Sequence, residues 1–398
     1  MAFVPFWFVL ITILWTGFFV LEGFDMGVGL LHTVIGRDEA GKRAVINTIG
    51  PLWDGNEVWL IVAVAATFAA FPLWYATMFS GFYLIFVLLL AGLIVRGISF
   101  EYRGKSPHER WRGSWSRLLI TGSVLVPLLL GITLGDLLHG LPIAANHEYT
   151  GSFWDLFQPY AVFTGIALLS ICALHGATFI AMKTTDEVRD RAERFARMVS
   201  PITALLVLAF IAWTHVQAGR GAFLNPVELI ACIAVIAAAS QAWSRQRAGW
   251  AFTATTITIG VAITAIFVDL YPRVMVSSTS PANSITVHNA AAPPYSLKVL
   301  TVVALVLLPV VLAYQVWTYY VFRKRVSVQQ FRPAPPAPPP SPRPPAEPVG
   351  AGSTGADHHR RGMHLSWRGR RGLGEPERAD FWSTARCLWG DHGGSAIA

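Results

Sequence analysis

Charge is what this sequence has least of. Asp, Glu, Lys and Arg make up 14% of its 398 residues, against 54% hydrophobic, where soluble domains average about 25% charged. So little polar surface cannot coat a soluble globule, and the soluble class is excluded. Cysteine is scarce too. Cys172 and Cys232 sit inside apolar runs, where a thiol behaves as a small hydrophobe, and Cys387 stands alone near the C-terminus. With no CxxC or CxxCH string, there is no basis for a disulfide framework, a thiolate metal site or covalent c-type haem. Also missing are a Walker loop, a dinucleotide-binding glycine fingerprint, an HExxH helix and a nucleophile elbow.

What the chain has instead is a series of uncharged apolar runs, consistent with its mean hydropathy of +0.48. Runs of about 18 to 25 residues are long enough to cross a hydrocarbon core of roughly 30 Å. They must be helices, because lipid offers backbone N–H and C=O groups no partner. Nine such spans are expected, near 5–30, 50–71, 76–96, 117–138, 159–182, 199–217, 225–243, 250–270 and 299–321. Turn signals punctuate them at Phe71-Pro72, Leu141-Pro142, Asn225-Pro226 and Tyr271-Pro272. The first run has no basic leader or small-residue cleavage site and carries Glu22 and Asp25, so it reads as a retained helix. The chain is thus an all-α polytopic membrane protein.

The net charge of +8 does not imply nucleic acid, because the bases are dispersed among short loops. Alternate loops hold roughly nineteen Lys/Arg against about three, the asymmetry of the positive-inside rule. That puts the N-terminus outside and the C-terminus in the cytoplasm, which nine crossings satisfy. From about Phe331 the composition turns to "PAPPAPPPSPRPPAEP" and then to Arg and Gly. The expected division is a membrane domain at 1–326 and a disordered cytoplasmic tail at 327–398.

Charged groups inside a span cost several kcal/mol and need a reason. Glu22 and Asp25 close the first apolar run, and Asp54 and Glu57 open the second; each pair is three apart and so shares a helical face. Two antiparallel helices would bring the four acids to one membrane side, as a proton relay requires. Structural pairing with Arg37, Lys42 or Arg43 explains them equally well, as does first-turn complementation of a helix dipole by Asp54 and Glu57. Gly23, Gly27 and Gly29 allow close helix approach. Arg96, followed by Glu101, ends the third span, where snorkelling is the simpler account. His175 and His215 lie in spans; a lone membrane histidine is more often hydrogen-bonded packing than a haem ligand. The residues alone leave a respiratory subunit, a proton- or cation-coupled transporter and a pure scaffold all open.

The same stretches resemble a known family. "GFFVLEGFDMGVG" (17–29), "NTIGPLWDGNEVWL" (47–60), "FPLWYA" (71–76) and "RGISFEYRGK" (96–105) are similar to subunit II of cytochrome bd-type quinol oxidases, as are "ALHGATFIAMKT" (173–184), "ITVHNA" (285–290) and "YQVWTYYVFRKR" (314–325). The likeness spans about 1–326. It implies a nine-helix fold of two four-helix bundles plus one peripheral helix, and a prokaryotic cell-membrane heterodimer that oxidises quinol and reduces oxygen to water. Two haems b and one haem d would reside in subunit I, with none bound by this chain; small accessory subunits and contacts with lipid and quinol are compatible with it. Asp25 and Asp54 would line a proton path, joined by Glu22 and Glu57, with Arg96 and Glu101 as supporting charges. Some relatives carry Asp where this chain has Glu101. The Pro-rich tail has no counterpart.

Overall fold

A computed structural model describes residues 3–219, 221–244 and 248–332. The chain divides after Pro335, and everything described belongs to the first unit. The expected disorder of the tail falls, apart from 327–332, outside the described residues.

Eight helices among the described residues are long and apolar enough to cross a membrane. They are α1 (Phe3–Ile35), α5 (Tyr83–Tyr102, continuing to Lys105), α6 (Glu109–His139), α7 (Pro159–Lys183), α8 (Asp186–Ala218), α9 (Pro226–Trp243), α10 (Ala248–Leu270) and α11 (Pro294–Val321). Three further α-helices complete the set: α2 (Glu39–Asn47), α3 (Trp53–Ala70) and α4 (Pro72–Gly81). The second expected span is α3. It falls outside the eight because Asp54, Asn56 and Glu57 occupy its first turns and dilute its hydropathy. The third expected span lies within α4 and α5, which run on through one irregular residue, Phe82, whose N–H still reaches the Met78 carbonyl.

Three expected loops are partly helical, the first through α2. α8 begins at Asp186 rather than near 199, carried by i,i+4 pairs of Arg191 with Glu187 (2.7 Å) and Arg189 with Glu193 (2.9 Å). α6 begins at Glu109, so its first two turns are charged and aromatic rather than apolar. The segment after α10 forms a small antiparallel pair, β1 (Arg273–Met275) with β2 (Ile285–Thr286), a feature not expected from the sequence. Val274, Met275, Ile285 and Val287 are buried under it, which is what holds so short a ladder.

α1 is the central element and touches α3, α6, α7, α10 and α11. Its approach to α7 is set by glycine: a Cβ on Gly27 would overlap the Cys172 carbonyl oxygen and the Gly176 backbone. Around this crossing Phe24 stacks on Phe179 at 4.1 Å and meets Phe252 edge-on. α11 is mostly exposed. Its start is fastened to α1 where Trp7 Nε1 donates to Thr301 Oγ1 (3.0 Å). Beyond α11 the chain returns to the end of α7: the Val326 N–H donates to the Lys183 carbonyl (2.8 Å), and Val328 is buried. The described fold therefore continues a few residues past 326.

Candidate functional site

The polar core of the bundle forms where α1, α3, α5 and α11 meet. Glu22 and Asp25 lie on one face of α1, and neither is exposed. Asp25 is ten residues before the end of α1, about 15 Å at 1.5 Å per residue, so the pair sits deeper than the end of an apolar run at residue 30 would place it.

Arg96, from α5, is also wholly buried and forms an ion pair with Glu22, with Glu57 of α3 at 3.7 Å. It does not snorkel; its guanidinium points into the bundle and lies 5.3 Å from the Phe100 ring centre. The close approach of α6 explains how so large a side chain is enclosed. A Cβ on Gly122 would stand 3.1 Å from the Arg96 Cβ and 2.6 Å from the Gly92 carbonyl oxygen, so glycine there lets α6 close over the arginine.

Asp25 is held differently. Asn56 Nδ2 donates to its Oδ2 at 2.7 Å, while Asn56 Oδ1 accepts from Gln315 Nε2 (3.0 Å) and from the Tyr319 hydroxyl (2.9 Å). This network fixes the orientation of the amide, since the carboxylate can only accept. Within it, one Asp25 oxygen, the second Glu22 oxygen, and Nε and Nη2 of Arg96 find no hydrogen-bond partner among the described residues, while Glu22 Oε1 and Arg96 Nη1 meet each other in the ion pair. Buried polar atoms of this kind are ordinarily satisfied by ordered water.

Of the four acids singled out from the sequence, Glu22, Asp25 and Glu57 come together. Asp54 lies on the exposed face of the first turn of α3. Arg96 joins the cluster, whereas Glu101, five residues on and turned to another face, is exposed and has no ion pair among the described residues. Sequence reasoning missed Asn56, Gln315 and Tyr319. Asn56 sits inside the same WDGNE string, and Gln315 and Tyr319 are four apart and so on one face of α11; those signals were present.

The membrane histidines are packing groups. His175 Nε2 donates to the Val20 carbonyl (3.2 Å), which leaves Nδ1 to accept from Thr255 Oγ1 (2.7 Å), and its ring stacks on Phe252 at 4.6 Å. His215 pairs through Nδ1 with Glu228 (3.0 Å) and through Nε2 with the Gly221 carbonyl (3.0 Å), a partnership not foreseen.

The fold and this site define a polytopic helical membrane protein with a buried, partly unsatisfied carboxylate–arginine cluster. A family profile described as "Cytochrome bd terminal oxidase subunit II" matches residues 4–322, and the chain belongs to that family. It is thus a component of a respiratory terminal oxidase, an oxidoreductase of prokaryotic membranes. It is 41% identical over 325 residues to "Cytochrome bd ubiquinol oxidase subunit 2" of Bacillus subtilis, covering 81% of this chain and 96% of that one. With "Cytochrome bd-I ubiquinol oxidase subunit 2" of Escherichia coli K12 it shares 33% over 357 residues, covering 81% and 94%. Its fold is similar to a chain from "The structure of bd oxidase from Geobacillus thermodenitrificans", with a TM-score of 0.65 at 15% identity, covering 81% of this chain and 100% of the other.

A cytochrome implies haem, and the histidines enclosed within the spans among the described residues, His32, His175 and His215, do not fit one. Both ring nitrogens of His175 and of His215 are engaged. His32 is fully enclosed, leaving no face open to a macrocycle. No group of three or more metal-ligating side chains occurs among the described residues.

Proposed function

We propose that this chain is the subunit of a heterodimeric quinol:oxygen oxidoreductase that carries no haem itself, scaffolds a haem-bearing subunit I, and supplies protons from the cytoplasmic side. The proposed topology has nine crossings, α3 being the ninth, with the N-terminus outside and the C-terminus in the cytoplasm; the Lys/Arg asymmetry of the loops supports it.

One observation carries the reading: Glu22 and Asp25 are fully buried on one face of α1, one paired with Arg96 and the other held by Asn56. Reducing oxygen to water consumes one proton per electron, and a relay supplying them needs carboxyl groups that exchange protons in a nearly dry setting. Glu22, Asp25 and Glu57 are close enough to share one guanidinium field, and their unsatisfied oxygens favour bridging water over a closed protein network. Arg96 keeps the cluster from holding several uncompensated negative charges. Asp54, exposed one turn before Glu57, is the proposed uptake group, and Glu101 an outlying charge. Haem in the partner supplies the electron transfer and oxygen chemistry; this chain binds, orients and moves protons. The relatives' names support quinol as the electron donor. Family membership leaves no observation that favours a transporter.

Asp25→Asn and Asp54→Asn, each in the purified complex, should lower quinol-driven oxygen consumption about 100-fold or more while haem content per complex stays normal, the range expected for losing a proton-transfer group. Full turnover with normal haem content in Asp25→Asn would remove the relay and leave the scaffold role.

A further inference from the structure

A second polar feature lies well away from the buried cluster. The end of α1, the start of α2 and the first turns of α6 enclose an open cleft of about 930 Å³. Six cations line it (Arg37, Lys42, Arg103, Arg110, Arg112 and Arg117) against three carboxylates. Two of those carboxylates are already committed: Asp38 caps α2 by accepting from the Gly41 N–H (2.9 Å), and Glu39 is clasped by Arg103 at 3.0 and 2.9 Å and by Arg43 at 3.2 Å. Arg37, Lys42, Arg110 and Arg117 therefore face the cleft with no carboxylate partner among the described residues. These four cations, with Glu109 the one uncommitted carboxylate of the lining against them, leave the opening positive and call for an anion, and arginine favours phosphate oxygens, which it can bind through two N–H groups at once.

The depth of the cleft identifies the source of that phosphate. On the neighbouring face of α6, Trp111 and Trp115 meet at 5.7 Å, and Tyr102 packs at a tilt against Trp115 at 5.5 Å. Trp111 is also bonded through Nε1 to the Tyr102 carbonyl (2.8 Å) and is 39% exposed. Such an aromatic group at the end of membrane helices marks the headgroup layer. Arg110 and Arg117 stand on the same turns as these rings, and Ile120, one turn further into the span, is the apolar residue of the lining. Cations at headgroup level, with Ile120 and the apolar run of α6 beyond them, match a phospholipid, with phosphate at the cations and acyl chain along α6.

We propose that this cleft binds the phosphate headgroup of an anionic membrane lipid. The test uses the protein purified from its membranes in mild detergent with the subunits that accompany it, stripped of loosely held lipid and titrated with phosphatidylglycerol or phosphatidylcholine, the bound lipid being quantified by mass spectrometry. Phosphatidylglycerol should be retained in preference. Each cation at an anionic headgroup contributes about fivefold in affinity, so Arg110→Gln/Arg117→Gln should weaken retention about 25-fold. Both residues are exposed, and the charge-preserving Arg110→Lys/Arg117→Lys should keep most of the binding. Equal retention of the two lipids, or unchanged retention in the Gln variant, would overturn the proposal. Displacement of the lipid by millimolar inorganic phosphate would overturn the lipid as occupant and leave a site for small anions.

Discussion

Replacing Arg96 with leucine should destabilise the protein more than any surface arginine substitution. The guanidinium is fully buried, paired with Glu22, which is equally buried, and 3.7 Å from Glu57, whose side chain is 23% exposed. At an effective dielectric constant near 20, a unit charge pair at that second distance is worth about 4.5 kcal/mol before desolvation. Desolvation of the three groups offsets most of the gross attraction. What remains measurable is the cost of leaving Glu22 without its counterion, about 3–5 kcal/mol for removal of one partner of a buried pair. Removing both charges should behave differently, because replacement of a buried pair by apolar side chains is often close to neutral. Arg96→Leu/Glu22→Leu should therefore recover most of the loss, and the non-additivity is the signature. The assay is denaturation of the purified complex by heat or denaturant for the wild type, both single variants and the double variant. A single-substitution cost under about 1 kcal/mol, or a double variant as unstable as the sum of the singles, would refute the reasoning.

Gly27→Leu should prevent α1 and α7 from closing, because the backbone of α7 occupies the space even a Cβ would need; Gly104→Ala, with nothing within 4 Å, should leave the yield of folded protein unchanged, and equal yields would contradict the packing argument. The loop acid Glu39 carries a pH prediction. Partial burial alone would raise its pKa, but the hydrogen bonds and charge of Arg103, with Arg112 and Arg43, outweigh that and hold it below 4.5. A depressed folded-state pKa stabilises above the unfolded value and loses that contribution as pH falls through the folded one. Glu39→Gln should thus cost stability at pH 7 and progressively less below about pH 4.5, and a penalty that grows on acidification would be contrary. Truncation after Arg332 removes the Pro- and Arg-rich segment while keeping buried Val328; oxygen consumption and assembly should persist, and loss of either would give that segment a role.

Hydropathy alone determined that this chain is helical and spans a membrane, because lipid permits no other way to satisfy a long apolar backbone. It also marked the right strings. Glu22 and Asp25 share a face by spacing, and the glycines around them do set the closest helix crossing. What spacing could not tell was what each face meets. Glu22 and Arg96 are 74 positions apart (96 − 22) and Asn56 and Gln315 are 259 apart (315 − 56), and no local pattern links them. Burial went the same way. Arg96 near the end of an apolar run looks ready to snorkel until Gly122 lets α6 close over it, and Asp54 looks equivalent to Glu57 until the turn of α3 leaves one exposed and directs the other toward Arg96. The reason is physical: period and composition belong to one helix at a time, whereas an ion pair and a dry environment belong to several helices packed together.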